Sequence, residues 1–151
     1  MSADRFLLDS NILIRWIKSD DPGAPFVEAA LDRLLISNTD LFYTSQNVGE
    51  FWNSMTRPLD RNGYGLSPEQ ADLRAREIEA AFILLPDHPG VHAEWRHLLV
   101  AYRVCGVQVH DARLVAAMHV HGVKHILTFN TKDFARFTGI EAVHPQQLSS
   151  I

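Results

Sequence analysis

The feature that most constrains this chain is an alternation between two scales of hydrophobic pattern. Short apolar runs alternate with longer stretches of helical periodicity, which specifies an α/β domain with a parallel sheet. Phe6–Leu8 reads as a first strand, apolar on both faces and therefore central. Leu41–Tyr43, Phe82–Leu85, His125–Phe129 and Glu141–Val143 read as four more. Helices are expected over Asn11–Lys18, Pro25–Ile36, Gln46–Thr56, Val91–Val104 and Ala112–His121. The helix ending at Thr56 stops before Pro58. Leu59–Leu66, with Gly63 and Gly65, reads as a loop. Ser67 then caps a helix that opens on Pro68, closes a capping box through Gln70 and runs to about Ala81. The tail from Pro145 reads as peripheral.

At 151 residues and 46% hydrophobic composition, one domain with its own core is expected over 1–151. The lone cysteine, Cys105, cannot form an internal disulfide and reads as a buried structural thiol in a reducing compartment. No signal peptide or membrane span is visible, so a soluble cytoplasmic protein with no membrane partner is expected. A net charge of −4 argues against a protein that coats nucleic acid by bulk charge. It leaves room for an acidic site whose charge a cation balances.

In open α/β sheets, chemistry collects at the carboxyl ends of strands. Asp9 ends the first strand, Asn130 ends the fourth, Asp133 follows three residues on, and Asp111 starts a helix. Within Gln46–Thr56, Val48, Phe51, Trp52 and Met55 share an apolar stripe. Glu50 lies almost opposite it, facing water or a cleft. Asp111 instead lines up with Leu114, Val115 and Met118, the buried face of its helix. Each acid also has an ordinary reading. Asp9 and Asp111 can be helix caps, Glu50 a solvated surface residue, and Asp133 a partner in the turn Lys132–Phe137. The set matters more than any member. Clustered carboxylates suit Mg²⁺ or Mn²⁺, and a cation so held can promote phosphodiester hydrolysis.

Four motifs carry a resemblance. They are Leu7-Leu8-Asp9-Ser10-Asn11-Ile12-Leu13, Ser45-Gln46-Asn47-Val48-Gly49-Glu50-Phe51-Trp52, His110-Asp111-Ala112-Arg113-Leu114-Val115-Ala116-Ala117 and Leu127-Thr128-Phe129-Asn130-Thr131-Lys132-Asp133-Phe134. In this order they resemble the PIN-domain family of nucleases, and in particular the VapC-type toxins of bacterial toxin–antitoxin pairs. The resemblance implies an α/β/α sandwich around a parallel sheet of four to five strands. It implies Mg²⁺- or Mn²⁺-dependent endoribonuclease activity on single-stranded RNA, a small antitoxin encoded in an adjacent gene, and a homodimer. The family's acids map onto Asp9, Glu50 and Asp111, and its polar residues after the first acid onto Ser10 and Asn11. Many members carry a fourth acid where this chain has Asn130, which can ligate through oxygen but brings no charge. Asp133 is the residue placed to compensate.

Arg15, Lys18, Arg57, Arg61, Lys132 and Arg136 flank the acid-bearing segments, and some are expected to hold phosphates. Trp16, Trp52 and Tyr64 are candidates for base stacking; Trp52 belongs to the apolar stripe and reads as core, and Tyr64, in the glycine loop, is the better candidate. The histidines lack zinc-site spacing. His119 and His121 face different ways, and Pro89-Gly90 separates His88 from His92. His110, beside Asp111, can reach the cleft. No P-loop or nucleophile elbow is present. A phosphatase would need an acid two residues after Asp9, where Asn11 stands. The competing class is a catalytically weak RNA-binding or assembly module, with Asn130 marking lost metal affinity.

Overall fold

The computed structural model describes residues 4–149. Five parallel strands form one sheet in the order β3-β2-β1-β4-β5, with β1 (Arg5–Leu8) at its centre. β2 is Asp40–Tyr43, β3 Ile83–Leu84, β4 His125–Leu127 and β5 Glu141–Val143. The helices are α1 (Ser10–Ile17), α2 (Ala24–Ile36), α3 (Ser45–Thr56), α4 (Pro68–Ala81), α5 (Pro89–Ala101), α6 (Gln108–His121) and α7 (Pro145–Ser149).

Strand pleating sends successive side chains to opposite faces, and the core divides accordingly. Phe6, Leu8, Leu41, Tyr43 and Leu127 pack with α1, α2, α3 and α4 on one face. Leu7, Phe42 and Ile126 pack with α5 and α6 on the other. The result is the expected α/β/α sandwich. Each fully buried Leu, Ile or Met contributes about 1.5–3 kcal/mol relative to exposure, so the central strand is anchored from both sides.

The strand order reverses between β1 and β4. Chain leaving β1 turns towards β2, whereas chain leaving β4 turns towards β5. Such a switch point opens a crevice at the carboxyl ends of the two strands. β1 and β4 are in register there, Leu8 beside Leu127, and the Asp9 amide donates to the Leu127 carbonyl at 3.0 Å. Asp9 and Thr128 therefore leave the sheet side by side.

Several expectations need correction. α6 begins at Gln108, so Asp111 lies within its first turn and is not its cap; Val107 holds that position. β4 ends at Leu127; the Thr128 amide still donates to the Val143 carbonyl at 3.0 Å, but its hydroxyl and the Phe129 amide bond the α1 side of the crevice. β3 is only two residues long, an edge strand with Ile83 and Leu84 exposed. α5 ends at Ala101, and Pro89-Gly90 starts that helix, with the His88 ring accepting from the Gly90 amide. The tail is not peripheral. α7 docks on α2, with Leu148 packed against the core and its carbonyl accepting from Arg33. Cys105 is exposed in the α5–α6 connection, where Gly106 takes φ +64°. The capping box at Ser67 and Gln70 forms as expected. Among the described residues no helix is long and apolar enough to cross a membrane.

Candidate active site

Asp9 caps α1, its Oδ1 accepting from the Ser10 amide at 2.8 Å. Its second oxygen faces the crevice and accepts from the Thr128 hydroxyl at 2.8 Å. The Asn11 amide also reaches it, more weakly, at 3.4 Å. The ordinary reading and the functional one thus coincide: one oxygen serves the helix, the other the crevice. Asp9 is only 7% exposed. Burial pushes its carboxyl up to about 6, against the opposing pull of the Thr128 and Ser10 hydrogen bonds. The charges of Glu50 and Asp133 add to the rise.

Asp111 opens onto the same crevice from α6. Burial, then the charges of Asp9, Asp133 and Glu50, push its carboxyl up to about 7. Its neighbours Leu114, Val115 and Met118 are buried, as the helix register required. No cationic side chain figures among the charges acting on Asp9 or Asp111.

Glu50 is half-buried and is held by Ser10, whose hydroxyl donates to Oε1 at 2.7 Å. The fully buried Asn47 donates in turn to the Ser10 oxygen at 3.2 Å. Asn47 also closes the capping box of α3, its Oδ1 accepting from the Thr44 amide at 2.9 Å. A single relay, Asn47 to Ser10 to Glu50, fixes α3 against α1.

The structure thus places Asp9 and Asp111 within electrostatic reach of one another, and of Glu50 and Asp133. Among the described residues it does not draw three His, Cys, Asp or Glu side chains into a finished metal cage. The donor set is nonetheless entirely oxygen. Mg²⁺ typically keeps several of its waters and takes only one or two protein carboxylates, so it does not require such a cage. The residues present fit a hard divalent cation.

Other candidates have different surroundings. Asn130 is exposed beyond the strand end, its amide donating to the Thr128 hydroxyl oxygen at 3.0 Å. Asn130, Lys132 and Asp133 line a depression of about 250 Å³ beside the crevice. Asn11, expected on the substrate side, has both ends of its amide engaged: it donates towards Asp9 and Thr128, and accepts from Phe129 N–H at 3.2 Å. It staples β1 to β4. Arg15 is similarly committed, to the Asn11 carbonyl, to Asp21 at 3.4 Å and to the face of Phe129. Tyr64 is half-buried against the core, with the Lys18 ammonium over its ring. Trp52 packs against the core, and Trp16 packs edge-on against Phe82. His110 is exposed; its carbonyl, not its ring, is engaged, accepting from Gln46.

Sequence reasoning missed Thr128 and Asn47 as positioning residues. Both lie inside the motifs, and both are polar residues surrounded by apolar ones. A buried polar side chain needs a partner, which was the available signal.

Fold and cleft define a doubly wound α/β domain with an acidic crevice at its switch point. The chain belongs to the PIN-domain family, whose model matches residues 6–140. Solved structures share the fold. A VapBC2 complex from Rickettsia felis bound to a promoter DNA fragment aligns with TM-score 0.70 at 14% identity, over 93% of this chain and 98% of that one. VapC20 of Mycobacterium tuberculosis, described as a sarcin–ricin loop cleaving toxin, aligns with TM-score 0.64 at 16% identity, over 86% and 93%. A toxin–antitoxin complex from Klebsiella pneumoniae aligns with TM-score 0.64 at 22% identity, over 95% and 98%. No curated protein sequence matches the chain significantly.

Proposed function

We propose that the chain is a divalent-metal-dependent endoribonuclease that cleaves single-stranded RNA, and the toxin of a cytoplasmic toxin–antitoxin pair. The observation that carries this reading is the collection of Asp9, Glu50, Asp111 and Asp133 at the switch point, where the charges acting on Asp9 and Asp111 are all carboxylates. Such repulsion is costly unless a cation relieves it. Asp9 and Asp111 are the residues to hold Mg²⁺ or Mn²⁺, with Glu50 completing the set directly or through water. When bound, the ion supplies Lewis acidity towards the phosphodiester and a more acidic water.

The chain's own groups do the rest. Thr128 and the Ser10 amide hold the Asp9 carboxylate in one orientation. Glu50, oriented by Ser10, accepts a proton from the attacking water. Asn130 and Asp133 bound the opposite side of the cleft, and Lys132 holds phosphate. Water attacks rather than the 2′-hydroxyl, so the products carry a 5′-phosphate and a 3′-hydroxyl.

The similarity to the sarcin–ricin loop cleaving toxin of Mycobacterium tuberculosis favours a ribosomal RNA substrate, with transfer RNA the alternative to test. The similar VapBC assemblies favour an antitoxin partner; in this reading it is small, encoded next door, and covers the cleft of a homodimer. One observation favours a second reading, a weak RNA-binding or assembly module: Asn130 contributes no charge and no three acids form a cage. Cleavage of tRNA and ribosomal RNA, with and without Mg²⁺, separates the two. Wild type cleaves only with the metal, and Asp9→Asn does not cleave; an equally active Asp9→Asn would overturn the proposal.

A further inference from the structure

One helical turn from the acids, on the same edge of the sheet, lies a second cavity that the reaction above leaves unused. It encloses about 200 Å³ between the start of α3, the chain after β3, and helices α5 and α6. Leu85, Leu114 and Ala117 give it apolar walls. Gln46, Asp87, His92 and Arg113 give it a polar rim.

Gln46 joins this cavity to the acid cleft. Its amide donates to the His110 carbonyl at 2.7 Å, next to Asp111, and its oxygen accepts from Arg113 at 3.3 Å. It stands four residues before Glu50 on α3, about 6 Å along the helix axis. A strand laid across Glu50 and Asp111 therefore reaches the cavity within a short step.

The charges on the rim are unspent. Asp87 makes no hydrogen bond or ion pair among the described residues, and Arg113 bonds only Gln46. The two line one cavity without bridging each other. A ligand common to both would offer acceptors to a guanidinium, donors to a carboxylate, and flat apolar faces to the walls. A nucleobase does all three, and single-stranded RNA is read by such unstacked bases. Guanine matches best, because O6 and N7 accept from arginine bidentately while its N2 amine donates. The cavity is larger than the roughly 150 Å³ that accepts a benzene ring, and its rim residues Asp87, His92 and Arg113 are exposed, so a purine can enter with one edge left at the surface.

We infer that this cavity seats one unstacked base of the RNA strand, guanine in preference, beside the scissile phosphate. Arg113 and Asp87 are then specificity-determining residues. The inference rests on the ribonuclease reading, which puts RNA in the cleft.

The test is binding, in EDTA so that nothing is cleaved, of fluorescein-labelled oligouridines carrying G, A, C or U at one central position. Wild type should bind the G-containing RNA about tenfold more tightly than the U-containing one, within the discrimination of a single bidentate contact. Arg113→Ala and Asp87→Asn should erase the preference. Ala117→Phe, which fills the cavity, should erase it by a different route. All three variants should keep the wild-type rise in Tm with Mg²⁺, which shows an intact fold and acid cleft. Equal affinity for the four RNAs, no binding of any, or an undiminished preference in Arg113→Ala would overturn the inference. So would equally tight binding of free guanosine monophosphate, which would make the cavity an effector site. The ribonuclease reading fails separately. A guanine preference without Mg²⁺-dependent cleavage would keep the base site and remove the nuclease, and cleavage without preference would do the reverse.

Discussion

The two ends of the central strand treat charge in opposite ways. At the amino end of β1, Arg5 is half-buried and accommodated, its guanidinium donating to the His121 carbonyl at 2.8 Å and lying over the Phe42 ring. Nearby, His125 stacks on Phe6 and faces Glu141 at 3.5 Å. At the carboxyl end, four residues along, the charges acting on Asp9 and Asp111 are those of other carboxylates: each other's, Glu50's and Asp133's. One end is built for stability. The other holds a local conflict that the rest of the fold sustains, as expected of a functional site.

The largest expected effect lies at the acidic end. Asp9→Asn keeps the hydrogen-bonding shape but removes a ligand charge. Mg²⁺-dependent RNA cleavage, followed by gel, should fall by more than about 100-fold, beyond the usual cost of losing a supporting residue. Thr128→Val should come next. It removes the hydroxyl that aims the Asp9 carboxylate and should weaken Mg²⁺ affinity by about 10–100-fold, measured by calorimetry. Unchanged affinity would show that Thr128 does not orient a ligand.

Metal should also separate the two ends in stability. At a Mg²⁺ concentration about 100 times its Kd, the folded state gains about 2.7 kcal/mol, so Tm should rise by roughly 5–10 °C for a domain of this size. The rise should vanish in Asp111→Asn and persist in Arg5→Gln.

The pH dependence without metal carries a definite sign. The Asp9 and Asp111 carboxyls titrate near 6 and 7 in the fold and at 3.8 when unfolded. Between these values the folded chain binds more protons than the unfolded chain, so these groups make stability fall as pH rises. Thermal melts from pH 4 to 7.5 should show that decline, with a shallower slope in Asp111→Asn. A metal-free protein whose pH dependence is insensitive to Asp111→Asn would mean that burial and the neighbouring carboxylates do not raise the Asp111 carboxyl. The smallest effect belongs to the other end. Arg5→Gln should cost roughly 1 kcal/mol, from one hydrogen bond and a ring contact, with no change in cleavage.

Much of this was readable in the chain. Alternating patterns gave the sheet and its layers. The register of α6 put Asp111 on a buried face, and that of α3 put Glu50 opposite its apolar stripe. What was illegible depended on contacts across distance. Nothing local to Thr128 says that its hydroxyl will meet Asp9, 119 residues before it. The apolar run around Cys105 suggested burial, but the turn through Gly106 puts the thiol in solvent. Pro89-Gly90 looked like a break and is a beginning, because proline suits the first turn of a helix. The motifs named the acids, but only the strand order explains why they meet.

Calorimetric titration of the metal-free protein with Mn²⁺ tests the shared cation site most directly. The account predicts one saturable site per chain, absent in Asp9→Asn, with proton release that diminishes as pH rises from 6.5 to 8, because Asp111 must lose its proton to bind. Failure of wild type to saturate, or saturation undiminished in Asp9→Asn, would contradict it.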